Sequence, residues 1–216
     1  MEGARHRRRR ARPLRVRLRG DRLAWLLTIM FGVQSLLFYV SLAWVPDILH
    51  SAGVDPTEAG VMLSIEMLVG IRLVSLLPII AARLRDQRSI IVFGVLCWVV
   101  SYGGLLLAPG TATAAWMVVM GGAQGVSFSL SIALIVLRAP DHAHATALSG
   151  MVQGGGYILA AAGPLAAGAL HDLTGSWTAP IIAMLVLTVV LLVVGLPASR
   201  PGWVRGRPAV DAQWAY

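Results

Sequence analysis

Long apolar runs alternate with short polar breaks along this chain, and the alternation repeats six times. The apolar stretches cover residues 24–45, 59–82, 89–108, 112–137, 146–170 and 179–196. Each is close to the roughly 20 residues that a helix needs to cross about 30 Å of hydrocarbon. The breaks at 46–58, 83–88, 109–111, 138–145 and 171–178 hold Pro46, Gly53, Pro56, Pro140 and Gly175, and none is long enough to fold into a domain of its own. The pattern predicts an all-α membrane protein with six transmembrane helices. Residues 24–197 form the transmembrane domain, between an Arg-rich cytoplasmic segment at 1–23 and a disordered cytoplasmic tail at 198–216.

Composition agrees with that reading. Of 216 residues 57% are hydrophobic and only 13% charged, where a soluble domain carries about 25% charged residues. The net charge of +8 resides on 18 basic residues, every one of them Arg. Residues 1–23 hold ten of these, the second break three, the fourth break one and the stretch after residue 196 three; the other breaks hold none. Positive residues are retained on the cytoplasmic side, so both termini are expected there, in a cell membrane. The Arg run at 7–10 resembles a nucleic-acid patch or the start of a signal peptide. The first has no use in a chain with six spans, and the second needs a shorter apolar core. The segment is instead expected to fix orientation and to touch anionic lipid head groups. The lipid bilayer is therefore the first partner, and no nucleic acid is expected. A single cysteine, Cys97, excludes a disulfide framework and a cysteine metal site, and neither metal nor cofactor is expected.

Polar groups inside hydrocarbon are costly unless they face protein or a water-filled cavity, so they form the candidate list. The first helix carries Gln34, with Ser35 and Tyr39 on one face. The fourth places Gln124, Ser127 and Ser131 along one side, and the fifth Ser149, Gln153, Tyr157 and Ala160. If these stripes converge, they line a small polar cavity suited to a small solute. The bland alternative is hydrogen bonding between packed helices, worth on the order of 1 kcal/mol each. Glu66 and Arg72 are the charges deep in the second helix. Six residues apart, they point about 240° apart around the helix and cannot pair on one face. Arg72 is a candidate anion contact through its planar guanidinium, and Glu66 a candidate proton carrier in coupled transport. The steps Gly121/Gly125 and Gly150/Gly154 allow close helix approach, and Pro78 and Pro164 favour bends.

No catalytic constellation stands out. The sequence Ala147-Leu148-Ser149-Gly150 lacks the first glycine of an intramembrane serine-protease motif, and the histidines His6, His50, His142, His144 and His171 fall in a tail or in the breaks.

Several segments resemble the major facilitator superfamily, more narrowly its cyanate/nitroimidazole-type branch. They are 124–126, 135–138, 147–150, Gln153, Gly156, Tyr157, Gly163, Pro164 and the run Leu170-His171-Asp172-Leu173-Thr174-Gly175-Ser176-Trp177-Thr178. Gln34-Ser35, Phe38-Tyr39, Ala43-Trp44, Pro46 and the stretch 78–88 add to it, so the likeness covers about residues 25–197. Members of that family have twelve helices in two halves, and the resemblance is to the second half alone. It implies that 1–23 is the linker between halves, and that solute sits between the halves at mid-membrane. Gln34, Tyr39, Gln124, Gln153 and Tyr157 then fall on cavity-lining helices. Arg83, Arg85, Asp86 and Arg88 form a relaxed copy of a gating-loop motif, and Arg72 stands where a small or helix-bending residue is expected. The implied function is a secondary carrier working by alternating access on a small solute, a small anion such as cyanate being one candidate. A separate N-terminal half or a second copy would complete it. The alternatives are a self-sufficient homodimer and a non-transporting remnant or membrane scaffold.

Overall fold

The computed structural model describes residues 16–205 and the backbone of 207–208. Six helices account for nearly all of it: α1 (Arg22–Ser51), α2 (Pro56–Arg83), α3 (Arg88–Leu107), α4 (Thr113–Leu137), α5 (His142–Thr174) and α6 (Thr178–Ala198). The helix starts follow local chemistry. Asp21, Asp55 and Asp141 each sit at an N-cap and accept a backbone N–H of the first turn, from Ala24 at 3.0 Å, Thr57 at 2.8 Å and His144 at 2.9 Å. Pro56 opens α2, where its missing N–H costs nothing. Gly175 closes α5 in the left-handed region at φ 65°.

Two boundaries differ from the expected ones. Pro46 does not end α1, because the helix runs on to Ser51 and leaves only residues 52–55 as connector. Likewise α5 begins at His142 and ends at Thr174, so His142, His144 and His171 lie in its first and last turns, outside any loop. Five of the six helices are long and apolar enough to cross a membrane. The exception is α5, whose 33 residues are rich in glycine and alanine and include three histidines and Gln153.

The main packing pairs are α1 with α5, α2 with α4, then α3 with α4 and with α6, and α1 with α6. Close crossings rest on glycines. Along the parallel α1/α5 pair, a side-chain carbon at Gly156 would fall 3.2 Å from the Gly32 nitrogen, and Gly163 lies against Leu36 and Val40. Between α2 and α4, a side chain at Gly125 would come within 2.6 Å of the Gly70 carbonyl oxygen. By contrast nothing lies within 4 Å of Gly150 or Gly154, so that small-residue step makes no helix crossing here.

Both flanks of the bundle meet at one end. Strand β1 (Val16–Arg17) pairs antiparallel with β2 (Arg207–Pro208). The backbone N–H of Arg205 donates to Asp21, and that of Val204 to the Arg138 carbonyl at 2.9 Å. Residues 16–21 and 199–205 lie against the helices, where Leu18, Ser199 and Val204 are buried. The expectations for residues 1–15, and for 206 and 209–216, fall outside the described residues.

Candidate functional site

An aromatic layer crosses the middle of the bundle. The ring of Phe31 on α1 lies 6.1 Å from Phe128 on α4, and 5.1 Å from Tyr157 on α5 in an edge-on arrangement. Gln34 is one turn beyond Phe31, and Gln124 one turn before Phe128. Because α1 and α4 run antiparallel, both amides lie on the same side of the layer. Gln34 is fully buried; its Nε2 donates to Ser35 Oγ at 2.7 Å, and its Oε1 has no hydrogen-bond partner. Gln124 is half-buried, packed near Gly70, and its buried Oε1 also has none. Gln153 stands on the other side of the layer. Its neighbour Gly155 abuts Thr28, six residues from Gln34 and so about 9 Å along the helix axis. Its Nε2 donates to Ser149 Oγ at 2.6 Å.

The candidates thus do not converge on one enclosed pocket. They divide by exposure. Tyr157 is 42% exposed and Tyr39 36% exposed, while Gln153 is half-buried. Gln34 is buried inside these six helices. The exposed tyrosines are held on their inner edges, Tyr157 by Phe31 and Tyr39 by Phe38 at 5.2 Å.

The charges of α2 separate as their spacing requires. Glu66 is only 2% exposed, and its backbone carbonyl lies against Gly121 of α4, whereas Arg72 is exposed on the same helix. As an anion contact, Arg72 can serve only a site completed by something outside these six helices.

In the connector between α2 and α3, Arg88 pairs with Asp86 at 3.1 Å, while Arg83 and Arg85 are exposed. The residues that tie this connector down are two that the sequence did not single out. Gln87 is buried and donates from Nε2 to the carbonyls of Leu84 at 2.6 Å and Ala81 at 3.2 Å. Its Oε1 accepts from Arg138 at 2.6 Å. Arg138, 4% exposed, also donates to the carbonyls of Ser199 at 3.0 Å and Ala198 at 3.3 Å. Burial pulls its guanidinium below the usual arginine value, and the nearby Asp86 carboxylate opposes that shift. A lone Arg closing an apolar run was the available signal, and it served only as a topology marker.

A second polar set joins α1, α3 and α4. Tyr102 OH lies 2.9 Å from Ser41 Oγ and donates to the Leu37 carbonyl at 3.2 Å; Trp98, stacked on Tyr102, donates to Ser127 Oγ at 3.2 Å.

The described residues thus form six long helices with both flanks at one end and polar groups left uncovered on α1, α2 and α5. The model of the Major Facilitator Superfamily matches residues 24–215, and the chain belongs to that family. It is 40% identical over 85% of its length to the "Uncharacterized transporter YycB" of Bacillus subtilis (strain 168), covering 46% of that protein. It is 36% identical to the 2-nitroimidazole transporter of Escherichia coli (strain K12), again over 85% of this chain and 46% of the relative. To the cyanate transport protein CynX of the same organism it is 27% identical, over 71% of this chain and 40% of the relative. These relatives place it in the cyanate/nitroimidazole branch. The chain spans about half the length of the curated relatives it matches.

Proposed function

We propose that the chain is the C-terminal half of a secondary carrier that moves a small solute across the cell membrane by alternating access, with both termini cytoplasmic. The observation that carries this reading is Tyr157. Its ring is pinned edge-on to Phe31, yet 42% of the residue is uncovered, as a side chain facing a site between two halves must be. Tyr39, Gln153 and Gln124 join it on the neighbouring helices, and the arginines gathered at one end support the orientation. The other wall of the site is supplied by a separate N-terminal half or by a second copy, which the coverage of about half of each relative supports.

Neutral hydroxyl and amide groups suit an uncharged planar solute such as the one named for the 2-nitroimidazole transporter. A second reading, a small anion such as cyanate, rests on Arg72, exposed on α2 with no carboxylate among the described residues bridged to it. The test is uptake into vesicles bearing this chain, alone and with a companion six-helix half, using labelled 2-nitroimidazole and labelled cyanate. Uptake that needs the companion and falls with Tyr157→Phe supports the half-carrier. Uptake of neither solute under either condition removes it. Loss of cyanate uptake alone in Arg72→Gln selects the anionic reading.

A further inference from the structure

The end of the bundle where both flanks meet holds a cavity that the carrier reading does not use. Its volume is about 1630 Å³, and it lies between residues 16–21, the first turns of α1, the first half of α5 and the stretch that follows α6. Five exposed arginines line it: Arg17, Arg19 and Arg22 up to the start of α1, and Arg200 and Arg205 after α6. The one carboxylate in the lining is committed to backbone, because Asp21 accepts the N–H of Ala24 and that of Arg205. The salt bridges among the described residues lie elsewhere, at Arg88–Asp86 and His144–Asp141. Nor does the rest of either flank carry a surplus of negative charge: residues 1–15 hold seven Arg against Glu2, and 206–216 hold Arg207 against Asp211. Five guanidinium groups around one concavity therefore call for an anion from outside the chain, and their planar forks of donors match phosphate oxygens.

The remaining lining is largely apolar and continues from the helix ends into the spans. Leu26 and Met151 extend the wall along α1 and α5, and Gly150 keeps it open, with nothing within 4 Å of where a side chain would stand. One turn further in, Gly155 against Thr28 closes the floor. Trp25 and Trp203 line the cavity while 48% and 70% exposed, and Trp25 Nε1 donates to the Arg19 carbonyl at 2.8 Å. Tryptophan favours the head-group level of a bilayer. A free ion would engage the arginines alone, whereas an amphiphile with a phosphate head and acyl chains engages both parts of this lining. Basic pockets at the cytoplasmic side of membrane helices bind such head groups.

We propose that this cavity binds an anionic phospholipid, its phosphate shared by arginines of both flanks and its acyl chains running along Leu26 and Met151. The lipid then ties the two ends of the helical domain together through one head group. The site requires only that the chain lie in a bilayer, so it stands or falls apart from the carrier reading.

The test is native mass spectrometry of the full chain in detergent, with phosphatidylglycerol, phosphatidylcholine or inorganic phosphate added at matched concentrations. The wild type should retain phosphatidylglycerol in preference to phosphatidylcholine. Arg22→Gln combined with Arg200→Gln should weaken that retention about tenfold. Gly150→Leu, which fills the cavity and keeps every charge, should weaken it as well. Arg83→Gln combined with Arg85→Gln removes the same charge from exposed positions outside the lining and should leave it nearly unchanged. Equal retention of phosphatidylcholine, or equal loss in the two double variants, overturns the proposal, since either would show only a general attraction between cations and acidic lipid. Displacement of phosphatidylglycerol by equimolar inorganic phosphate also overturns it and leaves a site for the free ion. Melting curves on the same preparations separate binding from folding: phosphatidylglycerol should raise Tm in the wild type and in the Arg83/Arg85 variant, and not in the Arg22/Arg200 variant. Should Gly150→Leu show no cooperative melt, the two double variants decide the outcome.

Discussion

The guanidinium of Arg138 and the carboxamide of Gln87 meet at 2.6 Å, and between them they cap two helices at once. Gln87 turns its NH2 group to the last carbonyls of α2, and Arg138 turns its remaining donors to Ala198 and Ser199 at the end of α6. The carbonyl of Arg138 then accepts from Val204. Four helix ends and the C-terminal flank are joined through these two side chains.

Gln87→Ala should therefore destabilise the bundle by about 1.5–3 kcal/mol, the range for a lost hydrogen bond to a charged group. Arg138→Ala should also free the flank, so that the Val204 amide loses protection in hydrogen exchange while amides in the middle of α1 keep theirs. Equal loss at both places would mean general unfolding and would count against the clamp.

Two glycine substitutions should behave in opposite ways. In Gly125→Val the added carbon meets the Gly70 carbonyl oxygen at 2.6 Å and the Leu73 side chain at 2.8 Å, and overpacking of this kind costs about 1–3 kcal/mol. In Gly154→Ala nothing lies within 4 Å, and removing a helical glycine should stabilise by about 0.5–1 kcal/mol. Thermal melts in detergent distinguish them.

The polar residues should separate in the same manner. Tyr157→Phe and Gln153→Ala should lower solute exchange about tenfold, equivalent to about 1.4 kcal/mol, and leave the melting temperature nearly unchanged. Gln34→Ala, buried and bonded to Ser35, should lower the melting temperature first. Exchange and melting measured on the same preparations test this.

Acid should open the start of α5. The backbone N–H of His144, and then its side chain, hold the Asp141 carboxyl below the usual carboxylate range. Its cap contribution is fully present above the ordinary carboxylate value and is lost as pH falls through the depressed one. Hydrogen exchange at the His144 amide should rise in acid, and Asp141→Ala should remove that pH dependence.

Orientation can be read with single cysteines. In a Cys97→Ser background, a cysteine at Gly202 should be shielded from an impermeant maleimide in intact cells, and one at Gly53 should react.

Much of the fold was legible along the chain, because crossing hydrocarbon imposes a length and an apolar composition that any reader of the sequence can see. The six runs, the placement of 17 of the 18 arginines outside the spans, and the opposed faces of Glu66 and Arg72 all follow from helix geometry and residue type. The family likeness, too, lay in motifs such as 170–178. Pro46 misled because a proline inside a helix tolerated by its neighbours looks like a break in one dimension. The site was less legible. Gln34, Gln124 and Gln153 are alike as letters, and only the packing of α1 against α4 and α5 turns one inward, leaves another half-covered and sets the third on the far side of the Phe31 layer. Likewise nothing in the sequence tells a buried Arg138 from a solvated one; that depends on Gln87 and the end of α6 arriving at the same place. Helix positions are local and repeat with the chain, whereas convergence of side chains depends on how helices far apart in sequence cross, and that is decided by tertiary packing alone.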